Sequence, residues 1–193
     1  MNLNLFTFLA WISAVSLVSA EDKPSSFDVE AAKVKLAQPV EKSSGKFTPK
    51  GLNPEVKRFY SKDAVVITRQ SGATETHPFV EVPLLFQVNT DQLRDGVSEA
   101  NLAKVALMLK ELGVQSATFA IEGHASAEGD AGRNRELSSL RALRIQSLLR
   151  EQGVPAGVVV RTEGFGSDHA EHPIHSPEAL LGQDRRVLVV RQK

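Results

Sequence analysis

"SATFAIEGHASAEGDAGRNRELSSLRA", residues 116–142, carries a strand signal, a glycine-rich turn and a helix start in direct succession. Phe119 and Ile121 alternate on one side of a short apolar run, as in a half-buried strand. Gly123, Gly129 and Gly132 then punctuate a polar loop. From about Gly132 to Gln152 a helical pattern follows, closed by Gly153 and Pro155. The same alternation continues outward. Upstream, Ser98–Leu112 places Leu102, Val105, Leu109 and Leu112 on one helical face, with Gly113 as a stop. Downstream, "GVVVRTEG" (157–164) and "RRVLVVRQ" (185–192) read as two more strands. Ahead of the first helix, "DAVVITRQ" (63–70) and "HPFVEVPLLFQV" (77–88) flank the turn-like Ser71-Gly72-Ala73, with Pro83 suited to an edge or a bulge. The order strand, helix, strand, helix, strand, loop, strand predicts an α+β fold, a mixed sheet with two main helices on one face.

Composition bounds what such a domain does. The chain has 193 residues, 41% hydrophobic and 6% aromatic, enough for one core and an appendage. Lys+Arg and Asp+Glu both total 23, so no global field draws it toward nucleic acid or an anionic membrane surface. Any charged ligand must be met locally. Without cysteine there is no disulfide, no thiolate metal site and no N-terminal acylation of the bacterial lipoprotein kind.

"LFTFLAWISAVSLV" (5–18) is an uncharged, mostly apolar run, and Val18-Ser19-Ala20 suits a signal peptidase, so residues 1–20 read as a signal peptide cleaved after Ala20. An uncleaved anchor is the alternative. Either sends the remainder across a membrane. Residues 21–60, rich in charge, Pro, Ser and Gly with little periodicity beyond a weak helical signal around Val29 to Leu36, read as a flexible tether. Residues 61–79 read as a β-rich lead-in, and 80–193 as the main domain.

One residue within the opening stretch is out of pattern. Measured from Leu137 at 100° per residue, Leu148, Ile145 and Leu149 fall at about 20°, 80° and 120°, and Arg141 falls among them at about 40°. Asn134 and Ser138, at about 60° and 100°, share the arc. A guanidinium on a core-facing arc needs a partner or a reason. One reading is an internal salt bridge to Glu122 or Asp184, or an aliphatic stem on the core with its head in water. The other is a carboxylate-binding site made by Arg141 with Asn134 and Ser138, which the glycine loop and the helix start would favour.

Ile121-Glu122-Gly123-His124-Ala125-Ser126, Asn134, Leu137-Ser138, Arg141-Ala142, Gly164-Phe165-Gly166 and Asp184-Arg185-Arg186-Val187 together resemble the C-terminal peptidoglycan-associating domain of outer-membrane protein A. The similarity covers about Val80 to Arg191. It implies a β/α sandwich with a mixed four-stranded sheet, and a loop and helix that bind the diaminopimelate side chain of the cell-wall stem peptide. In that family an aspartate meets the ammonium group and the helix arginine meets the carboxylate. The arginine falls on Arg141 and the family asparagine on Asn134. The aspartate falls on Ser126, a departure, because a hydroxyl accepts a hydrogen bond from an ammonium group without neutralising it. Glu128 and Asp130 could supply the missing charge. The family asparagine before the last Arg-Val pair is Asp184 here.

The resemblance implies a non-catalytic, exported protein, periplasmic or outer-membrane associated, with peptidoglycan and other envelope proteins as partners and no cofactor. The alternative is an envelope interaction module that kept the fold and lost stem-peptide binding. His169, His172 and His175 are spaced like metal ligands, yet Pro173 interrupts any helix that would align them, so a solvated loop is expected. "GHASAEG" lacks the spacing of a hydrolase nucleophile elbow. Gly164-Phe165-Gly166 lacks the third glycine and the helix of a dinucleotide loop.

Overall fold

A computed structural model describes residues 25–44, 57–69 and 71–193. The predicted signal peptide lies outside the described residues. The elements are α1 (Val29–Ala37), β1 (Glu41–Ser43), β2 (Lys57–Tyr60), β3 (Ala64–Thr68), β4 (Thr74–Val82), α2 (Gly96–Val114), β5 (Phe119–Gly123), α3 (Ala131–Glu151), β6 (Val159–Gly164), α4 (Glu178–Asp184) and β7 (Val187–Arg191). Aspartates cap the three longer helices: Asp28, Asp95 and Asp130 accept from the backbone N–H groups of Ala31, Ser98 and Arg133 at 3.0, 2.8 and 2.8 Å. No described helix is long and apolar enough to cross a membrane.

The strands run in the order β2-β3-β4-β7-β5-β6. The expected mixed four-stranded sheet is the β4-β7-β5-β6 part, in which only β5 and β6 are parallel. Long β4 carries it further. Its first half pairs with β3 on one edge and with β1 on the other, and its second half pairs with β7. The β4 strand ends at Val82, so residues 83–88 leave the sheet, earlier than the apolar run suggests. Pro83 has no N–H for a ladder, and its carbonyl instead accepts from Asn101 Nδ2 at 3.0 Å.

Alternation divides the sheet into two faces. Val80, Val82, Phe119, Ile121, Val187 and Val189 face the helices, where Leu36, Leu102, Met108, Leu109, Ile145 and Leu149 complete the main core. On the other face Ala120, Leu188 and Val190 pack beneath Val65, Ile67, Tyr60 and Phe79. The β2–β3 hairpin therefore curls back over the sheet.

Residues 25–44 and 57–60 depart from the tether reading. Leu36 is fully buried and Phe27 and Ala32 nearly so, all within the main core. Partly buried Val29 packs against this core beside Ala32 and Leu36, a helical spacing of about two turns that the surrounding charged and Pro/Ser/Gly-rich sequence outweighs. Asn101 holds the entry of this segment. Its Oδ1 accepts from Phe27 N at 3.0 Å and its Nδ2 donates to Ser25 O at 2.9 Å.

Candidate functional site

Arg141 sits on the third turn of α3, half-buried. Its Nε donates to the Thr90 carbonyl at 2.9 Å, and its guanidinium lies 4.8 Å from the centre of the Phe86 ring. No carboxylate lies within 4.0 Å of it among the described residues. Burial, helped by the charge of Arg185, pulls its pKa below the ordinary arginine value, and Asp91 works in the opposite sense. The side chain is thus fixed at one nitrogen and on one ring face, with its terminal nitrogens uncommitted among the described residues. That arrangement suits a carboxylate, which two parallel N–H groups can grip.

The salt-bridge reading of Arg141 is overturned, because both suggested partners are engaged elsewhere. Glu122, fully buried on β5, is paired with Arg58 of β2, accepts from Tyr60 Oη at 2.9 Å and from Arg161 Nη2 at 3.0 Å. Burial still pushes its carboxyl above the usual range, against the pull of Arg58. Asp184, also fully buried, accepts from the backbone N–H groups of Glu171 and His172 at 2.8 and 3.1 Å and meets Arg186 Nη1 at 3.5 Å.

The other expected site residues are distributed differently. Asn134 donates from Nδ2 to the carbonyls of Ser126 and Glu128, at 3.2 and 2.7 Å, and so folds the loop onto the helix start. Ser138, 1% exposed, donates to Arg135 O at 3.1 Å and accepts from Gly166 N at 2.9 Å, fastening α3 to the turn after β6. Asp130 is the α3 cap, and Glu128 is exposed. Ser126 is 5% exposed beside His124 and Ala125. Asn134 and Ser138 thus serve the scaffold, and the structure does not gather all six residues around one ligand space.

The glycines act in the same way. Gly123 and Gly164 are register partners in β5 and β6, and a Cβ on either would overlap α3, at the Ser138 carbonyl and at Ser139 respectively. They admit the helix to the sheet. The three histidines of the 169–175 loop are divided among separate surroundings. His169 packs against Tyr60, with ring centroids 4.7 Å apart, His172 Nδ1 is 3.3 Å from Asp184 Oδ2, and His175 is exposed at φ 75°. His124 stacks on Phe165 at 5.4 Å, and neither of its ring nitrogens has a hydrogen-bond partner among the described residues. Burial, with Arg186, His169 and Arg58 nearby, depresses its pKa to about 3.

The wall opposite Arg141 was missed by sequence reasoning. It is the loop between β4 and α2, closed by a bridge between Phe86 and Leu93 and by Gln87 N donating to Gln92 O at 2.8 Å. Asn89 sits at φ 59° within it, a conformation that asparagine tolerates better than most side chains. The Asn89-Thr90-Asp91 run was the available turn signal, hidden because Phe86 and Val88 prolonged the apparent strand.

The family model of OmpA matches residues 85–185. An outer-membrane lipoprotein of Pseudomonas aeruginosa, YfiB, is 33% identical over 108 residues, 55% of this chain and 61% of that protein. This chain therefore spans less than two thirds of that relative's length. Among solved structures, the periplasmic domain of Helicobacter pylori MotB is similar at a TM-score of 0.51 and 15% identity, over 71% of this chain and 88% of that one. The peptidoglycan-associated lipoprotein of Burkholderia pseudomallei has a TM-score of 0.49 at 23% identity, over 56% and 88%. The likeness to the MotB domain is one of fold.

Proposed function

The chain belongs to the OmpA family, and from that premise we propose that it is a non-catalytic protein of the bacterial envelope that binds the peptidoglycan stem peptide, gripping a diaminopimelate carboxylate with Arg141, and so links the envelope to the wall. One observation carries this reading. Arg141 is held at Nε by the Thr90 carbonyl and on its face by Phe86, with no described carboxylate within 4.0 Å to pair with it. A cation kept half-buried without an anion costs stability that a structural arginine would recover through a pair. A ligand carboxylate would supply the missing partner.

Placement in the envelope is supported by the likeness to an outer-membrane lipoprotein and by the apolar run at residues 5–18. With cleavage after Ala20, intact mass of the protein from its native host would show Glu21 as the first residue. Retention of Met1 would favour an anchor instead.

The deciding experiment is co-sedimentation of the purified protein with isolated cell-wall sacculi, alongside titration with a diaminopimelate-containing tripeptide. Binding is expected for the parent, and Arg141→Ala should weaken it by about 2–3 kcal/mol, the range of a charge-assisted contact. Ser126 favours a second reading, an envelope interaction module without stem-peptide binding, since that position lacks the family carboxylate. Failure of the parent to bind either wall or peptide would select it.

A further inference from the structure

We propose that Asp91 is the ammonium-binding carboxylate of this site, so that Asp91 on the β4–α2 loop and Arg141 on α3 together recognise a zwitterionic amino-acid centre, in the stem peptide the distal one of diaminopimelate. This rests on the stem-peptide reading of Arg141. The amino and carboxyl groups of such a centre are held by one carbon atom, so the two protein charges that read them must be close neighbours.

The acidic residues that follow Ser126 do not meet that demand. Asp130 caps α3, and at 1.5 Å per residue its backbone lies about 16 Å along the helix axis from that of Arg141. Its Oδ1 is already engaged by Arg133 N at 2.8 Å. Glu128 is tied through its carbonyl to Asn134, about 10 Å along the same axis from Arg141. Both belong to the far end of the helix start.

Asp91 is adjacent instead. It directly follows Thr90, whose carbonyl accepts from Arg141 Nε at 2.9 Å, and it acts electrostatically on the guanidinium. Yet the two charges do not bridge. Among the described residues Asp91 has no cation within 4.0 Å, and its Oδ1 accepts only from the neutral Gln92 Nε2, at 3.0 Å. A half-buried carboxylate and a half-buried guanidinium that share a neighbourhood without pairing each keep unused hydrogen-bonding capacity. One ligand centre carrying both an ammonium and a carboxylate satisfies both.

The loop that carries Asp91 is built to hold it there. Thr90 N donates to Gln87 O at 3.2 Å, Gln92 N to Thr90 Oγ1 at 3.1 Å, and Arg94 N to Leu85 O at 2.8 Å. With the Phe86–Leu93 bridge these bonds fix the loop before any ligand arrives, and a preorganised carboxylate loses less entropy on binding. The departure at Ser126 is thereby compensated from another element.

The experiment is a titration of the full chain with the diaminopimelate tripeptide and with the same peptide acetylated on its distal amine, using the parent, Asp91→Asn and Arg141→Ala. Asparagine keeps an oxygen for Gln92, and thermal melting checks that Asp91→Asn folds as the parent does. Asp91→Asn should bind the free-amine peptide about tenfold more weakly, the loss expected when a charge-assisted contact becomes a neutral one. Acetylation should weaken the parent by a similar factor and leave Asp91→Asn unaffected. If Asp91→Asn binds like the parent while Arg141→Ala does not, the assignment of Asp91 fails and the stem-peptide reading stands. Equal weakening of both proteins by acetylation also defeats the assignment. If the parent binds neither peptide, the reading and the assignment fall together.

Discussion

His124 is an imidazole enclosed by Phe165, Tyr60 and His169, and among the described residues its nitrogens have no hydrogen-bond partner. Its pKa in the fold, about 3, is below the ordinary value of 6.5, so the unfolded chain takes up a proton before the native one does. Its contribution to stability is complete above pH 6.5 and is lost as pH falls toward 3, with a slope approaching about 1.4 kcal/mol per pH unit. Glu122 acts in the opposite sense, because its folded pKa is raised and its share is lost as pH rises through that value. His124→Phe, which keeps the stack on Phe165, should therefore flatten the acid limb of stability measured by denaturant titration. An unchanged limb would mean that His124 is protonated in the fold. Arg141 was legible from the sequence as a cation out of the apolar pattern, and Ser126 as a departure from the family aspartate. What the sequence could not supply was the centre of the buried arc. Anchoring the helix at Leu137 placed Arg141 inside it, whereas the buried residues Ser138, Ala142, Ile145 and Leu149 centre at about 110°, some 70° away. Arg141 flanks the core, which is why it meets a loop rather than a buried acid.

The contact between α3 and the β5–β6 pair depends on the absence of two side chains. Gly164→Ala would set a methyl group against Ser139, and Gly123→Ala would set one against the Ser138 carbonyl. Each should cost at least about 1–3 kcal/mol, as overpacking does, in thermal or denaturant unfolding. A cost below half a kcal/mol, roughly the scatter of neutral surface changes, would show that the helix can shift. At this scale the long elements were readable, since α2, α3 and the strands facing the core repeat their apolar spacing over several turns or alternations. Brief α1 registered only as a weak helical signal, and α4 not at all. In α1 only Ala32 and Leu36 are buried, and in α4 only Leu181 and Asp184. Leu36→Ala tests whether α1 is truly part of the core: it should cost about 2–5 kcal/mol, as emptying a buried leucine site does. A tether would lose nothing.

The β2–β3 hairpin closes the face of the sheet that the helices leave open. A chain shortened to residues 74–193 would expose Ala120, Leu188 and Val190 and deprive Glu122 of both Arg58 and Tyr60. It should melt well below the full chain and bind a dye that reports exposed apolar surface. Equal melting temperatures would show that the family domain needs no cover. The sequence marked β3 as apolar, but curling of the sheet is a property of long-range pairing and leaves no local signal. The point where the chain enters the fold has a mechanical meaning. Asn101 clasps Ser25 and Phe27 with one amide and holds the Pro83 carbonyl with the same group, and Lys104 Nζ adds a bond to Ser26 Oγ at 2.8 Å. If the chain is retained by an uncleaved anchor, tension through the preceding residues would be taken up by α2 at this clasp, ahead of α1 and the β1–β4 ladder. Pro83 leads directly into the loop that carries Thr90 and Asp91, so a pull on the clasp and, under the proposed function, a ligand held at Arg141 would bear on opposite ends of one short stretch of backbone.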